Sequence, residues 1–217
     1  MTIASTPEVG APWWNDKTAF LIGGGASLID FDFRRLCGRG YICGVNQSMF
    51  AVPCRGWRIA AGISIDIRFI KERFAELSAF ASTSQLYLSM GDGWQREIAN
   101  VPGAINLRNE DVAGLSLDPA VLRRESSSGY AALNLAVLKR AQRIVLLGYD
   151  YGYIDGRHHY HGDYTWRAVP DDHWKSLAQR FCAAAVDCTQ RGIEVINASL
   201  RSRIECFTKM TIDDALK

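Results

Sequence analysis

The chain has 217 residues, of which 48% are hydrophobic and 22% are charged, a mixture that fits one globular domain and excludes a disordered chain. Its 25 Lys and Arg residues against 23 Asp and Glu residues leave a net charge of +2, which excludes a protein that wraps duplex nucleic acid. No apolar run approaches the roughly 18 residues that a membrane-spanning helix needs, and the first residues lack a signal-peptide pattern. We therefore expect a protein of the cytoplasm without a membrane span.

Four short apolar runs in the first half predict buried strands, because each is short and ends at a glycine or a polar residue. They cover residues 18–22, 41–45, 57–65 and 85–89. After the third run, hydrophobic residues from Ile67 to Leu77 recur at helical spacing and predict an amphipathic helix. Residues 90–125 have weak periodicity and several turn signals, and no element is predicted there.

The second half alternates helices and strands more clearly. The patterns predict a helix over 130–140, a strand over 143–148, a long amphipathic helix over 174–188 and a strand over 193–197. Strands that are continuous apolar runs and alternate with helices are typical of a parallel sheet covered on both faces. We therefore predict an α/β fold, a Rossmann-like, doubly wound and mostly parallel sheet over residues 17–217, preceded by an extension at residues 1–16.

The cysteines give no sign of a metal site. They lie at positions 37, 43, 54, 182, 188 and 206. None forms a C-x-x-C pair, and Cys37, Cys43 and Cys182 lie within apolar patterns. In a chain without a secretory signal, this favours reduced core residues over a disulfide framework or a zinc site.

Glycines or polar residues directly follow four of the predicted strands. They are Gly23, Gly24, Gly25 and Ser27 after the first strand, Asn46 after the second, Asp66 after the third, and Asp150 after the strand that ends at residue 148. In an open parallel sheet, ligands bind outside the carboxyl ends of the strands, and a glycine run lets the backbone approach a phosphate. The pattern favours a phosphate-binding edge; the alternative is that the glycines close an ordinary turn.

A second candidate phosphate site is the serine-rich turn that contains Ser127, Ser128 and Gly129. Hydroxyl groups and free amides at a helix N-terminus attract an anion, and the alternative is an N-cap with nothing bound. The chain has no Walker-A lysine and no full G-x-G-x-x-G followed by an acidic residue. Both absences disfavour a kinase-type P-loop and a standard NAD site.

All four histidines fall within one short segment that begins at His158. His159 and His161 would share one face of an extended segment, where Asp163 could join them in a metal site. Alternatively, one imidazole with a pKa near neutrality moves a proton, and a reaction rate would then rise with pH near about 6–7. The third interpretation is a polar surface loop with aromatic packing. In an extended segment, His158 would face away from His159.

Six short motifs, in this order, resemble a known family. They are LIGGGASL at 21–28, GVNQ at 44–47, SSGY at 127–130, LGYD at 147–150, HYHG at 159–162 and SRIECF at 202–207. The set resembles the bacterial sialyltransferases of glycosyltransferase family 42. It is also similar to the related archaeal 6-hydroxymethylpterin diphosphokinases and to uncharacterised proteins of tailed phages, which suggests a phage-encoded protein in a bacterial cytoplasm.

The resemblance implies a nucleotide site and a set of catalytic residues. The nucleotide, a cytidine phosphate, would contact the residues from Gly23 to Ser27, Asn46, Ser127, Ser128 and Gly129, with Asp66 and Asp150 close to the donor. His159 would be a general base that works without a metal, and His161 would orient it or bind the acceptor. Two tyrosines of the family stabilise the departing phosphate; Gly152 stands where the first is expected, and Tyr151 and Tyr153 are the nearby substitutes.

The sequence therefore predicts a nucleotide-sugar-dependent glycosyltransferase that needs no cofactor. Its partners would be a small-molecule nucleotide substrate and an acceptor hydroxyl of unknown identity, and a homo-oligomer is compatible with the sequence. One alternative is a diphosphokinase-like transferase that uses ATP and Mg²⁺ with Asp66, Asp150 and Asp163 as the carboxylates to consider. The other is a nucleotide-binding module without catalytic activity.

Overall fold

The computed structural model describes residue 14 and residues 18–51, 61–89, 101–162 and 170–217, and these residues contain nine strands in one sheet. The strands are β1 (Thr18–Ile22), β2 (Gly40–Val45), β3 (Ala61–Ser64), β4 (Gln85–Ser89), β5 (Ile105–Glu110), β6 (Val121–Arg123), β7 (Arg143–Leu147), β8 (Glu194–Asn197) and β9 (Thr208–Lys209). Every pair of neighbouring strands is parallel. The predicted parallel α/β sheet is confirmed.

The strand order places one switch point at the centre of the sheet. The order is β6-β5-β4-β3-β2-β1-β7-β8-β9, so the chain builds outward from β1 on one side and from β7 on the other. β1 pairs with β7 in a register that sets Ile22 beside Leu147. The loops that leave these two strands therefore start side by side at the carboxyl edge, where open parallel sheets bind their ligands.

Helices cover both faces of the sheet, as the continuous burial of the central strands requires. They are α1 (Ile67–Glu72), α2 (Phe74–Ala81), α3 (Ser128–Leu138), α4 (Asp171–Gln190) and α5 (Ile212–Ala215), with shorter 3-10 turns at Ala26–Leu28, Phe33–Leu36 and Asn46–Phe50. Leu21 of β1 packs in the core cluster that holds α3 and α4, whereas Phe20 packs in the cluster that holds α5. Leu88 of β4 packs with α1 and α2. Because successive side chains of a strand point to opposite faces of the sheet, each strand contributes side chains to a core on both faces.

Several elements differ from the sequence-based prediction. The helix expected from Ile67 to Leu77 is two helices, because the backbone at Arg73 leaves the helical region with φ −112°. β5 and β6 lie in the stretch without a predicted element, and their outer positions carry polar side chains that hide the strand pattern. The third strand is described from Ala61 onward, and the earlier part of that prediction lies outside the described residues.

The cysteine prediction is partly wrong. Cys43 and Cys188 are buried and reduced, as expected. Cys182 is reduced but exposed on α4, and Cys37 forms a disulfide bond. Apolar neighbours in the sequence do not report which side of a helix faces the core or which thiols meet in space, which is why both residues were misjudged.

The extension predicted for residues 1–16 lies outside the described residues, except for Trp14. Its ring is buried in the core cluster of α3 and α4 and stacks on Tyr41, with 5.8 Å between ring centroids. None of the described helices combines the length and apolar character that crossing a membrane requires.

Candidate functional site

The loops that follow β1 and β7 bind each other at the switch point. The amide of Gly23 donates to the carbonyl of Leu147 at 2.7 Å, and the amide of Gly25 donates to the carbonyl of Gly148 at 2.9 Å. A Cβ atom on Gly23 or Gly25 would lie 2.6 Å from the carbonyl oxygen of Gly148. These two glycines are therefore required for close packing of the two loops.

The side chain of Asp150 stabilises this junction from outside the cavity. Its buried carboxyl group accepts hydrogen bonds from the amide of Ser27 at 2.7 Å, the hydroxyl of Ser27 at 2.6 Å and the hydroxyl of Ser199 at 2.6 Å. Neither Ser27 nor Asp150 lines the cavity at the switch point. The structure thus gives both residues a positioning role, and a carboxyl group with three donors is poorly placed to bind Mg²⁺.

A cavity of about 460 Å³ opens beside this junction at the carboxyl edge of the sheet. Most of the residues predicted for the site line it: Gly23, Gly24, Gly25, Asn46, Asp66, Ser127, Ser128, Gly129, Tyr151 and His159. The sequence-based prediction missed other lining residues, namely Arg68, Arg124, His158, His173, Trp174 and Leu177. The size and the mixture of apolar walls with a few polar groups are those of a small-molecule site.

The N-terminus of α3 forms part of this cavity. The hydroxyl of Ser127 caps the helix by accepting from the amide of Tyr130 at 3.3 Å, and the hydroxyl of Ser128 accepts from the amide of Ile65 at 3.2 Å. Within the described part of the chain, the amides of Ser128 and Gly129 have no acceptor. Free first-turn amides and the positive end of the helix attract an anion.

Charged and polar side chains surround that helix end. Arg68 and Arg124 are the cations on the cavity wall, and Asp66 is the acidic residue. Asp66 caps α1 by accepting from the amide of Arg68 at 2.9 Å and from the amide of Phe69 at 3.3 Å. Arg124 also pairs with Asp111 at 3.3 Å, so its charge is partly compensated, and the guanidinium groups add to the positive end of α3 that favours an anionic ligand.

Three of the seven described non-glycine residues with positive φ lie on the same wall. The non-glycine residues Asn46, Ser126 and Tyr151 line the cavity and have positive φ values of 50°, 57° and 50°. The Oδ1 atom of Asn46 is buried and has no hydrogen-bond partner among the described residues. Strained backbone and an unsatisfied buried acceptor are features that cluster at binding sites.

His159 is fixed against the glycine run. Its Nδ1 atom lies 3.2 Å from the carbonyl oxygen of Gly24, which also accepts from the amide of Tyr160 at 3.0 Å. A carbonyl oxygen only accepts, so this bond requires a proton on Nδ1 and leaves Nε2 as the basic nitrogen of the neutral ring. His161 stacks on His159 with 5.0 Å between ring centroids, as expected for side chains two residues apart, but it does not line the cavity.

Burial, together with the smaller effects of His158 and His161, lowers the pKa of His159 to about 3. The expectation of a pKa near neutrality is therefore wrong. The sequence showed a polar loop around the histidines, whereas in the fold this loop packs on the glycine run and is desolvated. The imidazole of His159 is uncharged at neutral pH.

His158 does not face away from His159. Both residues line the cavity, and their ring centroids are 3.9 Å apart. The alternation expected of an extended segment fails because the backbone bends at His158, between the bridge of Arg157 with Ile154 and the bridge of His159 with Gly25. The ring of His158 also packs on Trp174 at 4.2 Å.

The two tyrosines have different surroundings. The hydroxyl group of Tyr151 hydrogen-bonds the hydroxyl group of Ser127 at 2.5 Å, and its ring packs against Phe181. Tyr153 is exposed and does not line the cavity. A Cβ atom on Gly152 would lie 2.7 Å from Nε of Arg203, so this guanidinium fills the space of the side chain that the transferase pattern expects there.

The structure brings no metal cluster together among the described residues. No group of three or more His, Cys, Asp or Glu side chains in those ranges is arranged to hold a metal ion. Asp163, the carboxylate considered for both the metal site and the Mg²⁺ alternative, lies outside the described residues.

Comparisons with known proteins give one similar structure. It is the sialyltransferase CstII from Campylobacter jejuni in complex with a substrate analogue, cytidine-5'-monophosphate. The similarity has a TM-score of 0.48 with 12% sequence identity and covers 90% of this chain and 85% of that chain. No protein-family model and no curated protein matches the chain. The similarity to archaeal diphosphokinases and phage proteins stays a prediction from sequence.

Proposed function

We propose that the protein is a nucleotide-sugar-dependent glycosyltransferase that binds a cytidine-monophosphate-type donor in the cavity and needs no metal ion for transfer. The observation that carries this proposal is that anion-binding amides and a neutral imidazole line one cavity, the amides being those of Ser128 and Gly129 and the imidazole that of His159. The six sequence motifs that resemble the sialyltransferases supply the class of substrate.

The anionic part of the donor would bind at the N-terminus of α3. The amides of Ser128 and Gly129 are available as donors, and Arg68 and Arg124 add positive charge to the same wall. Hydrogen bonds from such groups to a phosphate are charge-assisted and stronger than neutral ones. They supply the positive potential that a divalent cation provides in other nucleotide-dependent enzymes.

His159 would act as the general base. With its Nδ1 proton directed at the carbonyl of Gly24, the ring presents Nε2 as a proton acceptor. The low pKa keeps this nitrogen unprotonated, and the negative charge that develops on a nearby phosphate raises its proton affinity during the reaction.

The proposed transfer forms one bond and breaks one bond at the anomeric carbon of the sugar. Nε2 of His159 takes the proton of the acceptor hydroxyl, and the acceptor oxygen forms a bond to the anomeric carbon of the sugar. The bond between that carbon and the phosphate oxygen breaks, and its electron pair stays on the oxygen, which leaves as the nucleoside monophosphate. The histidine then returns its proton to water.

Thermal melts with a panel of nucleotides test the binding half of the proposal. CMP, cytidine, CDP, UDP, ADP and ATP would each be added with and without Mg²⁺. We expect CMP to stabilise the protein without Mg²⁺, and a ligand at 100 times its Kd adds about 2.7 kcal/mol to the free energy of unfolding. Stabilisation by ATP with Mg²⁺ but not by CMP would instead support the diphosphokinase alternative.

Turnover of CMP-N-acetylneuraminic acid with a panel of glycan acceptors tests the chemical half. His159→Ala should lower CMP release at least about a hundredfold and leave CMP affinity nearly unchanged, because the base touches the acceptor hydroxyl. If His161→Ala abolishes turnover and His159→Ala does not, the base is His161. Binding of CMP without any turnover would favour the binding-module alternative.

A further inference from the structure

His158 is a histidine of the cavity wall whose ring nitrogens make no hydrogen bond to the described residues. Among the described residues, neither ring nitrogen makes a hydrogen bond, and neither nitrogen is fully buried. Its ring is instead fixed by packing between Trp174 at 4.2 Å, Tyr153 at 5.2 Å and His159 at 3.9 Å. The ring is therefore positioned by contacts that leave its hydrogen-bonding capacity available to a ligand.

The other hydrogen-bond donors near His158 already make a hydrogen bond, are closed off from solvent or lie outside the cavity. The hydroxyl group of Tyr151 is bonded to Ser127, and Tyr153 does not line the cavity. Nδ1 of His159 bonds the carbonyl of Gly24. The buried Nε1 atom of Trp174 has no partner, yet it is closed off from the cavity solvent. His173 also lines the cavity without a recorded hydrogen bond to its ring, but it is exposed at the start of α4. His158, beside the proposed base, can donate a hydrogen bond into the cavity without giving one up.

In a nucleotide-sugar substrate, the leaving phosphate needs a hydrogen-bond donor of this kind. When the bond between the anomeric carbon and the phosphate oxygen breaks, that oxygen keeps the electron pair, and a positioned N–H group stabilises the charge that develops. From its free ring nitrogens and its place beside the proposed base, we infer that His158 hydrogen-bonds the phosphate of the nucleotide and stabilises its departure. This inference rests on the proposed function and adds a residue that the sequence motifs do not assign.

Binding of CMP and of cytidine to His158 variants tests the inference, because the two probes differ only in the phosphate. His158→Phe keeps an aromatic ring for packing on Trp174 and loses the donor, whereas His158→Gln keeps a donor. We expect His158→Phe to weaken CMP binding by roughly tenfold to a hundredfold, the range of a lost hydrogen bond to a charged group. His158→Gln should retain part of the affinity, and cytidine affinity should stay unchanged in both variants.

Arg157→Gln is the matched control, because Arg157 is exposed in the same loop and does not line the cavity. Its CMP affinity should remain within about twofold of the wild-type value, since exposed charges are largely screened. Melting midpoints without ligand verify that each variant is folded, and if His158→Phe does not fold, His158→Leu replaces it as the variant without a donor.

The outcomes separate the inference from the proposed function. If His158→Phe keeps the wild-type ratio of CMP affinity to cytidine affinity, the inference is overturned and the proposed function stands. If the variants lose CMP and cytidine affinity equally, His158 contacts the nucleoside and the inference is again overturned. If wild type binds neither CMP nor cytidine, the proposed function fails and the inference fails with it.

Discussion

The hydroxyl groups of Tyr151 and Ser127 hydrogen-bond each other at 2.5 Å and so connect the loop after β7 with the N-cap of α3. Burial raises the pKa of Tyr151, so its hydroxyl stays protonated. The same contact explains why residue 129 is a glycine, because a Cβ atom there would lie 2.5 Å from the hydroxyl oxygen of Tyr151. One hydrogen bond thus fixes the distance between two walls of the cavity.

A double-mutant cycle on this pair should show coupling. Tyr151→Phe removes the hydrogen bond and should lower the free energy of unfolding by about 1 kcal/mol. Ser127→Ala also removes the helix cap and should cost about 1–2 kcal/mol. Urea unfolding measures both, and the double variant should lose less than the sum, because the shared bond is lost once. Strict additivity would mean that the contact contributes nothing.

Alanine substitutions at Gly24 and Gly25 should affect different properties, turnover for Gly24 and stability for Gly25. A Cβ atom on Gly24 would lie 2.9 Å from Nδ1 of His159, which can move, whereas one on Gly25 would lie 2.5 Å from Cγ of the buried Asp150. We expect Gly24→Ala to lower turnover at least about tenfold with nearly unchanged stability, because it displaces the proposed base. Gly25→Ala should lower the free energy of unfolding by roughly 1–3 kcal/mol, as overpacking does. Comparable losses of stability in the two variants would contradict this assignment.

The lowered pKa of His159 makes the stability of the protein depend on pH. Its value of about 3 in the fold lies below the ordinary 6.5, so between these values the unfolded chain binds a proton that the folded protein does not. Stability is then fully present above about pH 6.5 and decreases as the pH falls, by at most about 1.4 kcal/mol per pH unit for this group. Burial lowers the pKa of His158 in the same direction.

Urea unfolding at several pH values checks this linkage. The His159→Gln variant should show a flatter dependence than wild type between about pH 4 and 6.5, because the titrating group is gone. The rate of transfer should be nearly constant from about pH 6 to 8, in contrast to the rise expected for an unperturbed imidazole. A rate that increases through pH 6–7 would show that the ligand restores an ordinary pKa.

Removal of metal ions should leave the protein functional. Because amides and guanidinium groups supply positive charge at the helix end, we expect EDTA to change neither CMP affinity nor transfer by more than about twofold. Calorimetry with and without EDTA, together with metal analysis of the purified protein, tests this. Stoichiometric zinc or manganese that is lost together with activity would instead make His159, His161 and Asp163 the residues to examine as ligands.

The sequence predicted the centre of the sheet and the edge at which the cavity opens, because buried parallel strands are continuous apolar runs and their polar ends are legible. It missed β5, β6 and β9, which are short or polar strands at the two sides of the sheet. The role of Asp150 was also beyond prediction, since its donors Ser27 and Ser199 come from distant parts of the chain. In the sequence, an aspartate at the end of a strand gives the same pattern whether it binds a ligand or a neighbouring loop.

The orientation of the histidines could not be predicted for a related reason. Alternation holds in a regular strand, and the backbone bends at His158, between the bridge of Arg157 with Ile154 and the bridge of His159 with Gly25. Trp174 lies on the hydrophobic stripe of α4, which indicated a core position, yet the first turn of that helix extends past the core to the cavity. Its proximity to His173 in the sequence is the one signal that could have assigned it to the site.

The burial of α3 has a consequence for how the site responds to a ligand. Every residue of this helix from Ser128 to Val137 is buried, so its backbone beyond the unbonded amides of Ser128 and Gly129 is among the last to exchange amide hydrogens with solvent and should do so only on global unfolding. The amides at its first turn are thus already in place before any anion arrives, and capture of a ligand there requires almost no loss of chain entropy. Changes in exchange on binding should therefore appear at the amides of Ser128 and Gly129, which the anion would protect, and in the loop that carries His158, while the rest of α3 keeps the same slow rates.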